Sequence, residues 1–312
     1  MLLGNKGLWK LPEHAPKTVL ECFEQGLKIA GADGVMCGIP KPDGTYRTKT
    51  YGEANIDATN VGNALAHLGV VSGEDKIAIF SGNNYEYDTV VIGGYHRNVA
   101  NVSLYDTLGK QAVEFILQQI ESKIAFIEDE KKMELILSVD SVVETIILMK
   151  PPATKPTNDK GVTILTWTEF LEMGAKNAEV PVRPGTDDMA TINYTSGTTG
   201  NPKGVILSHK NLVTLACGVL TWTMPRECTT DDIWYSYLPM AHIFERAVHT
   251  VIMTVGAQWW FSSGNIKKLM EELAVVRPTM FGSVPRVMNR LYDKLQVIYT
   301  CLIADKEFSV VF

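Results

Sequence analysis

The stretch of sequence that decides the fold runs from Ala190 to Leu212 and reads ATINYTSGTTGNPKGVILSHKNL. An apolar strand at residues 190–194 leads into a loop of threonine, serine and glycine, which is followed by a second short strand and a helix start. Gly197 and Gly200 allow close approach of the backbone, so several N–H groups of the loop can point toward an anion. The hydroxyl groups of the loop and the ammonium group of Lys203 add further donors. The stretch therefore predicts a polyphosphate-binding loop between two strands.

The spacing of this loop is not that of a Walker A loop. A Walker A loop needs G-x-x-x-x-G-K-[ST], whereas residues 197–204 read GTTGNPKG and lack adjacent glycine and lysine. An ordinary P-loop NTPase is therefore disfavoured. On composition alone, a Ser/Thr/Gly turn without a binding function stays open as the alternative.

Outside this stretch, short β-rich runs alternate with longer runs of helical period. Four apolar runs of strand length precede it, at residues 77–80, 124–128, 142–148 and 162–166. Between the first two, residues 110–120 place four apolar side chains on one helical face: Val113, Ile116, Leu117 and Ile120. After it, residues 264–278 predict a helix and residues 279–284 a strand. This alternation predicts βαβ units and mostly parallel sheets covered by helices.

The composition is that of a folded globular protein. The chain has 312 residues, of which 46% are hydrophobic and 21% charged, and this excludes disordered and low-complexity classes. A net charge of −6 provides no overall positive field, so we expect no nucleic-acid partner. No apolar run reaches the roughly 18 to 20 residues of a membrane span, and no secretory leader is visible. Five widely spaced cysteines predict reduced thiols in the cytoplasm rather than a disulfide framework.

A second candidate for chemistry is the block YLPMAHIFER at residues 237–246. The imidazole of His242 can donate to a carboxylate or phosphate oxygen, and Glu245 can orient it. A purely structural role stays open, in which His242 begins a helix after Pro239 and Glu245 is solvated. The spacing is not H-E-x-x-H, and His249 does not complete a zinc site, so we predict no metal ligand.

Together these segments resemble a known superfamily. The stretch YTSGTTGNPKGVILSHKNL resembles the phosphate-binding signature of the adenylate-forming enzymes, which include acyl-CoA synthetases, luciferases and the adenylation domains of peptide synthetases. The block with LYDTLG at residues 101–117 is similar to the long-chain acyl-CoA synthetases of eukaryotes. Further similar blocks lie in the expected order at residues 50–70, 75–93, 237–246 and 279–295.

The resemblance implies ATP-dependent activation of a long-chain fatty acid to acyl-AMP, followed by transfer of the acyl group to CoA. It implies that the β- and γ-phosphates of ATP, bound with Mg²⁺, contact the segment Thr195, Ser196, Gly197, Thr198, Thr199 and Gly200 together with Lys203. It also implies catalytic roles for Lys203 and His242, and contacts of His242 and Glu245 with the substrate. Two alternatives stay open: an inactive module that binds nucleotide or fatty acid, and an adenylating enzyme for another carboxylate.

The resemblance also implies the division of the chain. The expected fold is α/β, the N-terminal domain of an adenylate-forming enzyme with layered subdomains, and without the C-terminal part that complete members carry. We expect an N-terminal segment at 1–49 packed on the second subdomain, a first α/β subdomain at 50–188, the phosphate-binding loop with part of a second α/β subdomain at 189–296, and an atypical tail at 297–312. Peripheral association with endoplasmic reticulum or peroxisomal membranes is an open alternative to a purely cytoplasmic location.

Overall fold

Two β-sheets form the framework of the computed structural model, which describes residues 15–195, 201–223 and 227–308. The strands in these ranges are β1 (Val35–Pro40), β2 (Tyr46–Thr50), β3 (Lys76–Phe80), β4 (Ala100–Ser103), β5 (Ile124–Ile127), β6 (Thr145–Leu148), β7 (Thr163–Thr166), β8 (Met189–Thr195), β9 (Lys203–Ser208), β10 (Ile233–Ser236) and β11 (Gln258–Phe261). The α-helices are α1 (Val19–Ala30), α2 (Tyr51–His67), α3 (Tyr85–Tyr95), α4 (Lys110–Ile120), α5 (Glu130–Leu137), α6 (Trp167–Lys176), α7 (His209–Gly218), α8 (Ile243–Thr254), α9 (Leu269–Val276) and α10 (Pro285–Phe308).

The larger sheet has seven strands in the order β7-β6-β5-β3-β4-β8-β9. All neighbours in it are parallel except the pair β8 and β9, which is antiparallel. The smaller sheet has the order β10-β11-β1-β2 and is parallel except for its edge strand β2. The predicted α/β class with mostly parallel sheets is therefore confirmed.

The periodicity of the sequence located several of these elements. The predicted strands at 77–80, 124–128 and 162–166 match β3, β5 and β7 within a residue, whereas the run at 142–148 forms a strand only over its last four residues. The four apolar side chains predicted on one face of α4 are all buried. The strand predicted at 279–284 was wrong, because this segment makes only one isolated bridge, between Trp234 and Met280. Gly282 then packs against the ring of Trp234, and α10 begins at Pro285.

Helices on the larger sheet pack closely enough to require glycine. At Gly174 on α6, an added Cβ would lie 1.8 Å from the carbonyl oxygen of Asn60 on α2. The side-chain amide of Asn63 donates to the Gly174 carbonyl at 3.2 Å and fixes the same contact. The contact therefore depends on the missing side chain, since any larger residue separates the two helices.

The division of the chain into subdomains stays a prediction. In the structure, the strands on either side of residue 188, β7 and β8, belong to the same sheet. Strand β1 lies between β11 and β2 in the smaller sheet, so a segment near the start of the chain pairs with one more than 200 residues later.

Candidate functional site

A cleft with a volume of about 670 Å³ opens between the two sheets. Residues at the carboxyl ends of strands from both sheets line it, among them Ser81 after β3, Glu128 after β5, Tyr237 after β10 and Ser262 after β11. Ligands of open α/β sheets bind outside the carboxyl ends of the strands. The position of the cleft therefore makes it the candidate site of the molecule.

The lining of the cleft combines apolar surface with charge. Lys41, Arg47 and Lys150 contribute cations, Glu86, Asp106 and Glu128 contribute carboxyl groups, and Met240 and Phe261 contribute apolar surface. Lys150 is paired with Glu128 at 2.7 Å, so Lys41 and Arg47 are the cations that can attract the anionic end of an amphiphile, whose chain can contact the apolar side chains.

A carboxylate network holds one wall of the cleft. Glu128 accepts hydrogen bonds from the backbone N–H of Gly82 at 3.0 Å, from Lys132 at 2.5 Å and from Lys150 at 2.7 Å. Burial alone would raise the pKa of Glu128, but these donors outweigh it and lower the pKa to about 2. The carboxylate is therefore ionised at neutral pH, and it ties the turn after β3 to α5 and to the end of β6.

The two ends of the predicted phosphate-binding segment lie side by side. Thr195 is the last residue of β8 and Lys203 the first of β9, and the two are paired across the antiparallel ladder. The Thr195 hydroxyl group donates to the Lys203 carbonyl at 3.4 Å, and both residues are exposed. Ser196, Gly197, Thr198, Thr199 and Gly200 lie outside the described residues, so their contacts with phosphate stay a prediction.

His242 lies at the start of α8, where it is exposed. Its Nδ1 accepts a hydrogen bond from the backbone N–H of Phe244 at 3.2 Å. The backbone N–H of His242 donates to the Pro239 carbonyl at 2.8 Å. The imidazole therefore caps the helix, as the structural alternative supposed. Because Nδ1 is the acceptor, Nε2 is left as the atom that can face a substrate.

Glu245 lies one turn further along α8 and is completely buried, so it is not solvated. Its Oε1 accepts a hydrogen bond from Trp234 Nε1 at 3.0 Å and lies 3.4 Å from His249 Nε2. None of its described contacts reaches His242. The structure thus brings Glu245 to a buried cluster, and its contact with substrate stays a prediction.

The buried cluster around Glu245 contains residues that sequence reasoning missed. His249 Nδ1 lies 3.2 Å from Asp88 Oδ1, and its Nε2 lies 3.1 Å from the Ser236 hydroxyl group. Trp259 Nε1 donates to the second oxygen of Asp88 at 2.8 Å. Burial disfavours a charged imidazole, but attraction to Asp88 and Glu245 outweighs it and raises the pKa of His249 to about 9. The imidazolium therefore lies between two carboxylates and joins α3 to α8.

A second buried cation, Arg246, follows Glu245 directly. Its guanidinium group donates to Asn101 Oδ1 at 2.7 Å and to the Tyr95 hydroxyl group at 3.2 Å, both on elements of the larger sheet layer. With His249 it brings two positive charges to the two carboxylates, so the formal charges of the cluster cancel. The i, i+4 spacing of Glu245 and His249 is a signal for one shared helix face, but nothing local in the sequence points to Asp88.

Two side-chain amides hold the loop at residues 237–242, which connects β10 to α8. Asn83 donates to the Leu238 carbonyl at 2.7 Å and accepts from the Met240 N–H at 2.8 Å. Asn193, on β8, donates to the Ala241 carbonyl at 3.0 Å. The loop that ends at His242 is thus fixed by residues of the larger sheet and of the turn that follows β3.

No group of three or more His, Cys, Asp or Glu side chains that could hold a metal ion occurs in residues 15–195, 201–223 and 227–308. Within the same ranges, no helix has both the length and the apolar character needed to cross a membrane.

Comparison with known proteins gives relatives in sequence and in fold. Long-chain-fatty-acid–CoA ligase 5 of Mus musculus is 33% identical over 290 residues, which cover 90% of this chain and 42% of that protein. Long chain acyl-CoA synthetase 5 of Arabidopsis thaliana is 37% identical over 262 residues, which cover 81% of this chain and 39% of that protein. The chain thus spans about two fifths of the length of the curated relatives it matches.

Among solved structures, the adenylation domain of the carboxylate reductase from Mycobacterium chelonae is similar with a TM-score of 0.74 and 19% identity. The match covers 90% of this chain and 48% of that one, and at this identity it shows the fold alone. The family model of the AMP-binding enzymes matches residues 32–308. The chain therefore belongs to the family of AMP-binding enzymes, and the curated relatives it matches are long-chain fatty acid–CoA ligases.

Proposed function

We propose that this chain is part of an enzyme that activates a long-chain fatty acid with ATP to acyl-AMP and then transfers the acyl group to CoA. The observation that carries the proposal is the juxtaposition of two segments. Thr195 of β8 pairs with Lys203 of β9 at the two ends of the predicted phosphate-binding loop. Asn193, also on β8, donates a hydrogen bond to Ala241 in the loop that ends at His242. Membership of the AMP-binding family and the names of the curated relatives support the same reaction class.

The chemistry requires two anions to meet. The fatty carboxylate attacks the α-phosphorus of ATP, the bond to the β-phosphate breaks, and pyrophosphate leaves. Binding both reactants side by side supplies most of the acceleration in such a step, and cationic donors offset the charge on the leaving group. Lys203 has no carboxylate partner within the described parts of the chain, so its exposed ammonium group is available to the β- and γ-phosphates. Mg²⁺ enters this scheme as part of the MgATP substrate.

His242 would act on the acyl side. Its Nδ1 is already used as an acceptor at the helix start, so its Nε2–H can donate to an oxygen of the carboxylate or of the α-phosphate. The apolar side chains of the cleft, together with Lys41 and Arg47, suit a fatty acid and equally suit CoA, because both are amphiphiles with anionic groups.

The test is fatty-acid-dependent exchange of pyrophosphate into ATP by the purified chain. We expect only slow exchange with palmitate, because the chain spans about two fifths of its relatives, and we expect Lys203→Ala and Gly200→Val to weaken ATP binding about 10- to 100-fold, the range of one lost charge-assisted contact. Lys176→Ala, a change of an exposed lysine on α6, serves as the control and should leave the affinity unchanged.

Three results would contradict the proposal. Unchanged ATP affinity in both loop variants would reject the phosphate-site assignment. Exchange that depends on a short or aromatic acid instead of palmitate would indicate an adenylating enzyme for another carboxylate. Binding of ATP or fatty acid without any exchange would indicate a binding module.

A further inference from the structure

The two segments of the proposed site are joined by one buried side chain. Asn193 lies on β8, two residues before Thr195, and is only 6% exposed. Its Nδ2 donates to the carbonyl oxygen of Ala241, the residue immediately before His242, at 3.0 Å. A single hydrogen bond therefore connects the strand that enters the predicted phosphate-binding loop with the loop that presents His242.

The strand end of this link is fixed by the sheet. On one side Asn193 is in register with Ser103 of β4, and on the other side with Val205 of β9. A strand paired on both sides cannot shift along its axis without breaking two ladders. Asn193 therefore holds the loop at a position set by the larger sheet.

At the other end of this hydrogen bond, the loop at residues 237–242 is not fixed by strand pairing within the smaller sheet. It follows β10, yet its described polar contacts outside the loop come largely from elements of the larger sheet layer and from the turn after β3. Besides Asn193, these are the two bonds to Asn83 and a weaker bond from the Tyr87 hydroxyl group to the Met240 carbonyl at 3.4 Å. Asn83 and Tyr87 hold the middle of the loop, whereas Asn193 holds the residue next to His242.

We infer that Asn193 is a positioning residue that couples the nucleotide side of the site to the acyl side. Because the Asn193–Ala241 bond joins the two segments, a nucleotide that restricts the end of β8 also restricts the loop before His242, and a fatty acid bound near His242 restricts the end of β8 in turn. Because binding free energies are reciprocal, each ligand changes the affinity of the other by the same factor. This inference rests on the proposed function, since it assumes that ATP and fatty acid bind at these two segments.

The experiment measures coupling instead of turnover. The affinity of the full chain for α,β-methylene-ATP, in which the bond broken by adenylation is blocked, is measured by titration calorimetry with and without saturating palmitate. We expect the native chain to show about tenfold coupling, within the usual range for linked sites. Asn193→Leu keeps a similar volume but cannot donate a hydrogen bond, so the coupling should fall below about threefold, while each affinity measured alone stays within about threefold.

Asn63→Leu is the matched control. Asn63 is also buried and also donates from its amide to a backbone carbonyl, that of Gly174, but it lies on α2, which does not line the cleft. This variant should keep the full coupling. If Asn193→Leu does not fold, as judged by circular dichroism, Asn193→Ala takes its place.

The outcomes separate the inference from the proposed function. A native chain that fails to bind either the nucleotide or palmitate contradicts the proposed function itself. A native chain that binds both without coupling, or an Asn193→Leu variant that keeps the native coupling, overturns the inference and leaves the proposed function standing. Equal loss of coupling in Asn63→Leu would also overturn it, because the effect would then follow from general destabilisation.

Discussion

The buried ion cluster of Asp88, His249 and Glu245 predicts that the fold loses stability at mildly alkaline pH. The pKa of His249 is raised from its ordinary value of 6.5 to about 9 by the two carboxylates. A raised pKa means that the folded state holds the proton more tightly than the unfolded state, so the stabilisation is complete below pH 6.5 and is lost as the pH rises to about 9. At about 1.4 kcal/mol per pKa unit, the loss is about 3 kcal/mol.

Other perturbed groups act mainly outside this pH window. Burial lowers the pKa of His209 to about 4 and also lowers that of His96, and such groups change stability only below their ordinary value of 6.5. Burial raises the pKa of Cys22 to about 12 and that of Cys37 well above its ordinary value of 9, so these thiols act above pH 9. Between pH 6.5 and 9, the slope therefore reports mainly on His249.

The assay is urea unfolding at pH 6.5, 7.5 and 9. The comparison protein combines Asp88→Asn, His249→Gln and Glu245→Gln, because removing the histidine alone would leave two buried carboxylates without the cation that lies between them. We expect the free energy of unfolding of the native chain to fall by about 3 kcal/mol across the series, and that of the triple variant to change by less than about 1 kcal/mol. A flat profile for the native chain, or equal slopes for both proteins, would refute the reasoning.

Three further predictions concern packing, charge and the exposed histidine. Gly174→Ala should lower stability by about 1–3 kcal/mol in thermal unfolding, because its Cβ meets the Asn60 carbonyl, whereas Gly218→Ala, where an added Cβ meets nothing within 4 Å, should not. Glu128→Gln should cost about 1–2 kcal/mol in urea unfolding at pH 7 after allowance for solvent screening, and the difference should shrink as the pH falls from 4.5 to 2, where the native carboxylate takes up its proton. His242→Ala should lower the free energy of unfolding by no more than about 1 kcal/mol, the value of a lost helix cap, but should reduce the rate of pyrophosphate exchange at least about tenfold. An exchange rate that falls only in proportion to the amount of folded protein would assign His242 a structural role alone.

The sequence predicted those parts of the fold that depend on local pattern. Strands β3, β5 and β7 and the buried face of α4 follow from apolar runs and helical period. The run at 279–284 has the composition of a strand, but a packed glycine against Trp234 and the start of α10 leave it only one bridge. Local composition does not predict that tertiary packing of this segment prevents its strand pairing.

The buried cluster was beyond sequence reasoning because its members are far apart in the chain. Asp88 and His249 are separated by 161 residues, and their contact depends on how the two sheets are arranged. That arrangement requires β1 to pair with β11, which local pattern does not specify. His249 was considered only as a zinc ligand, since an isolated histidine in a sequence gives no indication of a carboxylate from another helix.

Helix α8 explains why the block around His242 has so many polar residues. His242, at its start, is exposed, whereas the charged or titratable residues Glu245, Arg246 and His249 are buried. Buried charges are costly unless each has its partner, so these three side chains allow α8 little freedom relative to α3 and β4, which supply the partners. The helix start is then fixed with respect to the larger sheet, and β8 of the same sheet enters the predicted phosphate-binding loop. The buried charges therefore place His242 relative to that loop, and a change in any of them is expected to displace the imidazole even though none of their described side-chain contacts reaches it.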